Sequence, residues 1–132
     1  MICIKQKRAQ EVKKMLCSCK DFNESNQYFL TLQDFGKNLI QNEELNDLTI
    51  FSLALSSKER MILLESLQER DRCVCELEAI IDKSQSTISH HISKLSNAGL
   101  IEGYKKGNFT YYHLVKDILT QKLDLLNRFF HR

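Results

Sequence analysis

Among the residues able to do chemistry, the five cysteines come first. Four of them fall in two short pairs, Cys17-Ser18-Cys19 and Cys73-Val74-Cys75, and Cys3 stands apart. Thiolates select soft ions, so a Cys-x-Cys pair suits Zn(II), Cd(II), Pb(II) or As(III)-like species. Two cysteines one residue apart cannot complete a tetrahedral site and need donors from elsewhere. The same thiols can answer oxidants or persulfides by forming disulfide or polysulfide links, although a bridge across one intervening residue is strained. A cysteine at a helix start can also be no more than a small buried hydrophobe. The second chemically dense stretch is residues 82–100, DKSQSTISHHISKLSNAGL. On a helix its Ser86, Ser89, His90, Ser93 and Lys94 share one side, almost free of carboxylates and rich in hydrogen-bonding groups. Such a face suits the major groove, where side chains meet base edges and phosphates without charge repulsion. An ordinary solvated helix would look similar, so the neighbouring elements decide.

The polar helix is positioned by its own back. Ile88, Ile92 and Leu95 recur at i, i+4 and i+7, Ser84 can cap the start, and Gly99 after Asn97-Ala98 can take the left-handed stop. Upstream, residues 1–20 are basic and read as a mobile arm or frayed helix. Tyr28, Leu32, Phe35 and Leu39 form a helical stripe. Residues 42–47 read as a polar break, and residues 48–55 as a helix apolar nearly all round and therefore buried. Ser57 caps a further helix with Met61, Leu64 and Leu67 inward. Residues 69–72 read as a charged turn before a short helix opened by CVCEL, with Leu77, Ile80 and Ile81 inward. Downstream of Gly99 the period changes to two, and Lys106-Gly107-Asn108 turns the chain into a second strand over residues 109–114. The hairpin carries Lys105 and Lys106 at its tip. A last helix over residues 115–130 bears two apolar stripes, Leu119/Leu123/Leu126/Phe130 and Ile118/Leu125/Phe129. One stripe packs on its own domain; two imply a partner, most simply a second copy.

Composition bounds these readings. The 132 residues carry a net charge of only +2, but the charge is segregated: +5 over residues 1–20, −8 over residues 21–82 and +5 over residues 83–132. A basic C-terminal half holding the polar helix fits a nucleic-acid face, and the acidic middle argues against coating on all sides. No apolar run approaches the ~20 residues of a membrane span. Met1-Ile2-Cys3-Ile4 leads into Lys5-Gln6-Lys7-Arg8 rather than an apolar h-region, so a cytoplasmic chain with reduced thiols is expected. The sequence contains no Gly-rich phosphate loop, zinc-hydrolase motif or nucleophile elbow, and no enzyme is expected.

Helix, helix, short helix, polar helix, basic-tipped hairpin and helix is the order of a winged helix-turn-helix, mainly α with a small β-hairpin wing, here expected to be dimeric. In that order the segments LALSSKERMILLESL, CVCELEAI, SQSTISHHISKLSNAGLI and GNFTYYHL resemble the ArsR/SmtB family of metal-sensing bacterial and archaeal repressors. The resemblance covers about residues 45–130. It divides the chain into an accessory arm and extra helix (residues 1–44) and a DNA-binding and dimerisation domain (residues 45–132). It implies a homodimer on a two-fold operator of double-stranded DNA, joined through the last and N-terminal helices, whose DNA affinity falls when inducer binds. By position it gives Gln85, Ser86, Thr87, Ser89, His90 and Lys94 to the DNA face, with Lys105 and Lys106 on phosphate. The helical periodicity independently selects Ser86, Ser89, His90 and Lys94, and sets His91 nearer the buried stripe.

Within that family, Cys73 and Cys75 stand where thiol-based sensors bind a thiophilic metal or metalloid. The arsenic-sensing pattern often has a third cysteine where this chain has Glu78. The cadmium/lead-sensing pattern recruits cysteines from the N-terminal arm, which makes Cys17 and Cys19 the matching candidates and Cys3 a further donor. The family's other site, on the last helix, is ruled out because Lys116, Ile118, Phe129 and Arg132 occupy matching positions. The expected function is therefore a repressor released by a thiophilic ion. The competing readings are a thiol-redox or persulfide-responsive repressor of the same fold, and a winged-helix protein-interaction module without operator DNA.

Overall fold

The computed structural model describes residues 4–19 and 25–131. The chain divides into two compact units, Met1–Asn42 and Glu43–Arg132. In the first, α1 (Ile4–Cys19) and α2 (Ser25–Ile40) pack on each other, with Lys13 Nζ 4.9 Å from the centre of the Phe29 ring. The expected mobile arm or frayed helix is instead sixteen residues of continuous α1. Its Lys, Gln, Arg, Glu, Ala and Leu are strong helix formers with no Gly or Pro among them, and Arg8 pairs with Glu11 one turn on. The side chains of Cys17 and Cys19 lie outside the described residues, as does Cys3 entirely.

The second unit runs α3 (Glu43–Leu55), α4 (Lys58–Glu69), β1 (Arg72–Cys73), α5 (Val74–Ile81), α6 (Gln85–Asn97), β2 (Ile101–Lys106), β3 (Phe109–Leu114) and α7 (Lys116–Phe130). One core joins them: Phe51 and Ala54 from α3, Leu63, Leu64 and Leu67 from α4, Leu77 from α5, and Ile88, Ile92 and Leu95 from α6. Leu100 and Ile101 close it at the root of the wing. Each fully buried aliphatic side chain of this kind stabilises the fold by about 1.5–3 kcal/mol.

Four local expectations need correction. The polar break is only the Gln41–Asn42 step, since α3 starts at Glu43, where Glu43 and Glu44 lie in the positive first turn of the helix. Residues 48–55 are not buried all round: Leu48, Phe51 and Ala54 face inward, while Ile50 and Leu53 are 48% and 58% exposed. In α4 the Ser57 cap is present as expected, and packing against the other helices decides which face is inward. The inward stripe is then Arg60, Leu63, Leu64 and Leu67, and Met61, about 100° round the helix, turns outward. Ile80 of α5 is likewise exposed.

The wing is a three-stranded antiparallel sheet of order β1-β3-β2 rather than a two-stranded hairpin. β2 and β3 pair from Ile101↔Leu114 to Lys106↔Phe109 across the Gly107-Asn108 turn, and Gly107 takes the left-handed conformation that the tight turn needs. β1 adds Arg72↔Tyr112 and Cys73↔Tyr111 on the other side of β3. α6 begins at Ser84, which accepts from the Thr87 N–H, and ends before Gly99 at φ +74°. Among the described residues no helix is long and apolar enough to cross a membrane.

Candidate functional site

α6 presents the polar face that its spacing implies. Ile88, His91, Ile92 and Leu95 are buried, while Gln85, Ser86, Ser89, His90 and Lys94 are exposed. Thr87 is half-buried, and its hydroxyl is engaged 3.0 Å from Ser84 Oγ, which also meets Ser86 Oγ at 3.1 Å. The first turn of α6 is thus a cluster of three hydroxyls on a helix N-terminus, gathered around the capping Ser84. Lys105 and Lys106 are exposed on the wing near its turn, and Lys106 Nζ lies 5.7 Å from the Tyr111 ring centre.

α6 is held at a set angle by a buried polar bracket that the sequence reading did not assemble. Arg60 donates from Nε to the Ala54 carbonyl at 2.8 Å and from Nη2 to the Leu53 carbonyl at 2.9 Å, closing the end of α3. Its Nη1 lies 3.1 Å from His91 Nδ1, and His91 Nε2 lies 2.5 Å from Glu59. Arginine can only donate, so Nδ1 accepts and Nε2 carries the hydrogen shared with Glu59. His91 is therefore the packed histidine that the periodicity suggested. The available signal was a pair of polar residues, Arg60 and His91, each on the inward stripe of its helix.

The second feature is the thiol pair at the head of α5. Cys73 is buried and Cys75 exposed, both are free thiols, and their sulfurs lie 2.7 Å apart. The neighbouring Cys75 thiol and burial raise the Cys73 pKa, partly offset by the Glu76 backbone N–H. Glu76 is held below its usual range by the Cys73 backbone N–H it accepts at 3.2 Å, with Arg70 and Arg72 adding to the effect. The pair opens into a cleft of about 270 Å³ that also meets Glu78, Gln85 at the start of α6, and Asn108–Thr110 of the wing. Gln85, expected on the DNA face, also lines this cleft. Among the described residues no three His, Cys, Asp or Glu side chains are grouped to hold a metal ion. Cys73 and Cys75 thus fit a thiophilic ion in kind but supply two donors of the full set.

Known proteins resemble this arrangement. The family model for the bacterial regulatory proteins of the arsR family matches residues 57–103, from the α4 cap into β2. A cadmium resistance transcriptional regulatory protein, CadC, of Listeria innocua is 32% identical over 80 residues, covering 60% of this chain and 67% of that one. An arsenical resistance operon repressor of Bacillus subtilis is 35% identical over 75 residues, covering 53% and 71%. In fold, the chain is similar to a homodimeric winged helix-turn-helix DNA-binding domain from Mycobacterium bovis, with a TM-score of 0.55, 22% identity and coverage of 62% and 77%. The chain belongs to the ArsR family of winged helix-turn-helix, DNA-binding transcriptional repressors.

Proposed function

We propose that this repressor works as a homodimer on operator DNA and lets go when Cys73 and Cys75 bind a thiophilic ion of the Cd, Pb, Zn or As class. The observation that carries the reading is the thiol pair, 2.7 Å sulfur to sulfur, in a cleft shared with the first residue of α6. Relatives named for cadmium and arsenical resistance support the class of ligand. Cys17 and Cys19, from the same chain or a second copy, are the proposed remaining donors.

On the DNA side, Gln85, Ser86, Thr87, Ser89 and His90 are proposed to meet base edges. Lys94, Lys105 and Lys106 neutralise phosphate and fix register without reading sequence. For assembly, the apolar surface of α3 and α7 is the proposed seam, and the exposed stripe of α2 is proposed to take part in the homodimer as well. Leu45, Leu48, Leu53, Leu126, Phe129 and Phe130 line a groove there, and Leu32 and Phe35 are exposed on α2.

The test is a titration of anaerobically reduced protein with Cd(II), Pb(II) or As(III), following thiolate-to-metal absorption and operator release together. Cys73→Ser/Cys75→Ser should keep its DNA affinity and lose the response; release that persists in this variant refutes the site. Cys17→Ser/Cys19→Ser should lose the response in part. The thiol contact also favours a second reading, in which peroxide takes two hydrogens from the pair, giving a disulfide and two waters. Release by peroxide but not by metal would select it.

A further inference from the structure

Cys73 holds two positions at once. Its sulfur is half of the thiol pair, and its backbone is the last residue of β1, paired with Tyr111 of β3. We propose that the wing is the part of the molecule that moves when the thiols are occupied, an inference that rests on the thiol-sensing reading above.

Three features direct the movement. The Cys73 and Cys75 sulfurs are neighbours, so an ion held by both sits directly on the last residue of β1. The side chain of Arg72, the residue before Cys73, ties β1 to α4 and α5 through Ser66 O at 3.0 Å, Glu69 at 2.8 Å and Glu76 at 3.3 Å. The seam to the wing is short: two residue pairs join β1 to β3, against six joining β2 to β3. The hairpin β2–β3 is therefore the stiff body and the β1 seam its hinge. A second tie carries the displacement further out, since Tyr104 Oη donates to Asp71 at 2.6 Å, from β2 to the turn just before β1. At the wing's far end Asn108, Phe109 and Thr110 form one wall of the thiol cleft, with Gln85 also lining it. A ligand seated on the sulfurs therefore meets the wing tip and bears on the seam at the middle of β3. Lys105 and Lys106 ride on that same hairpin.

The chain contains no tryptophan, so Phe109→Trp installs a single reporter in the full-length protein. Reduced Phe109→Trp protein titrated with Cd(II) should change its tryptophan emission with the same midpoint as the thiolate absorption. Adding Cys73→Ser/Cys75→Ser should abolish both signals. Absorption that rises while emission stays flat overturns the wing coupling and leaves thiol sensing intact. Absence of both signals removes the sensing reading, and this inference with it. Should Phe109→Trp fail to fold, Tyr104→Phe serves instead. Its Cd(II) absorption should be unchanged, while the Cd(II)-induced loss of operator affinity should shrink by about threefold from a response of about 5–150-fold. An unchanged loss of operator affinity overturns the proposal.

Discussion

Helices α6 and α7 carry similar amphipathic signals and end in opposite conditions. In α6 the apolar stripe is fully covered by its own unit, and the outer face is polar. In α7 no residue is buried, and Leu123 and Phe130 remain 49% and 73% exposed. Periodicity therefore reports that a helix has a face to bury, and leaves open whether the chain itself supplies the cover. In α6 the cover comes from α3, α4 and α5 and is completed by a polar bracket. α7 makes only part of its contact, through Ile118 and Leu119, which pack against the core; the rest is proposed to await a second copy.

The bracket should give the largest break in this contrast. Arg60→Met leaves the Leu53 and Ala54 carbonyls and His91 Nδ1 without their donor, and removing one partner from a buried charged network costs about 3–5 kcal/mol. Urea unfolding should show that loss. Next, Leu95→Ala in the covered stripe should cost about 2–5 kcal/mol. Leu123→Ala at low protein concentration should cost much less, while Leu123→Asp or Leu126→Asp should turn dimer into monomer in sedimentation without unfolding the chain. Equal destabilisation at positions 95 and 123 would erase the distinction between the helices. On the outer face, Ser86→Ala or His90→Ala should change sequence preference by about 1–3 kcal/mol per lost base contact. Lys105→Ala or Lys106→Ala should weaken all duplexes alike and flatten the salt dependence; lysine variants that altered only specificity would reverse these roles.

The smallest effect concerns pH. The folded state holds the Cys73 proton more tightly than an unfolded thiol does. The associated stability is fully present below the ordinary thiol pKa of about 8.5 and is lost as pH rises through the raised folded value. Cys73→Ser should remove that alkaline slope in stability. Metal binding should run the other way and tighten as pH rises, because each thiol must lose its proton; affinity independent of pH would exclude Cys73 as a ligand.

The sequence made α6 legible because stripe, cap and stop agree over thirteen residues, and it made the β2–β3 turn legible because Gly107-Asn108 separates two runs of period two. It hid β1, since two residues carry no period and Arg72-Cys73 pairs with a strand almost forty positions away. It misjudged Met61 against Leu63 because both fit an apolar stripe until α4 is docked on its neighbours. The Arg60–His91 bracket was half visible: His91 was placed inward, but its partner on α4 required the two helices to be docked. Likewise the cysteines were visible as a pair, whereas their place beside Gln85 and the wing tip depends on three elements meeting.

The two bonds from Arg60 to the end of α3 make that end the angular reference for α6. At about 1.5 Å per residue, α6 runs about 9 Å from His91, where Arg60 meets it, to its first residue Gln85. A rotation of about 10° at the reference then displaces the proposed reading end by about 1.6 Å, enough to take a 2.9 Å hydrogen bond out of range. The tolerance of the proposed reading face is thus an angle of about ten degrees, set within the chain by one guanidinium.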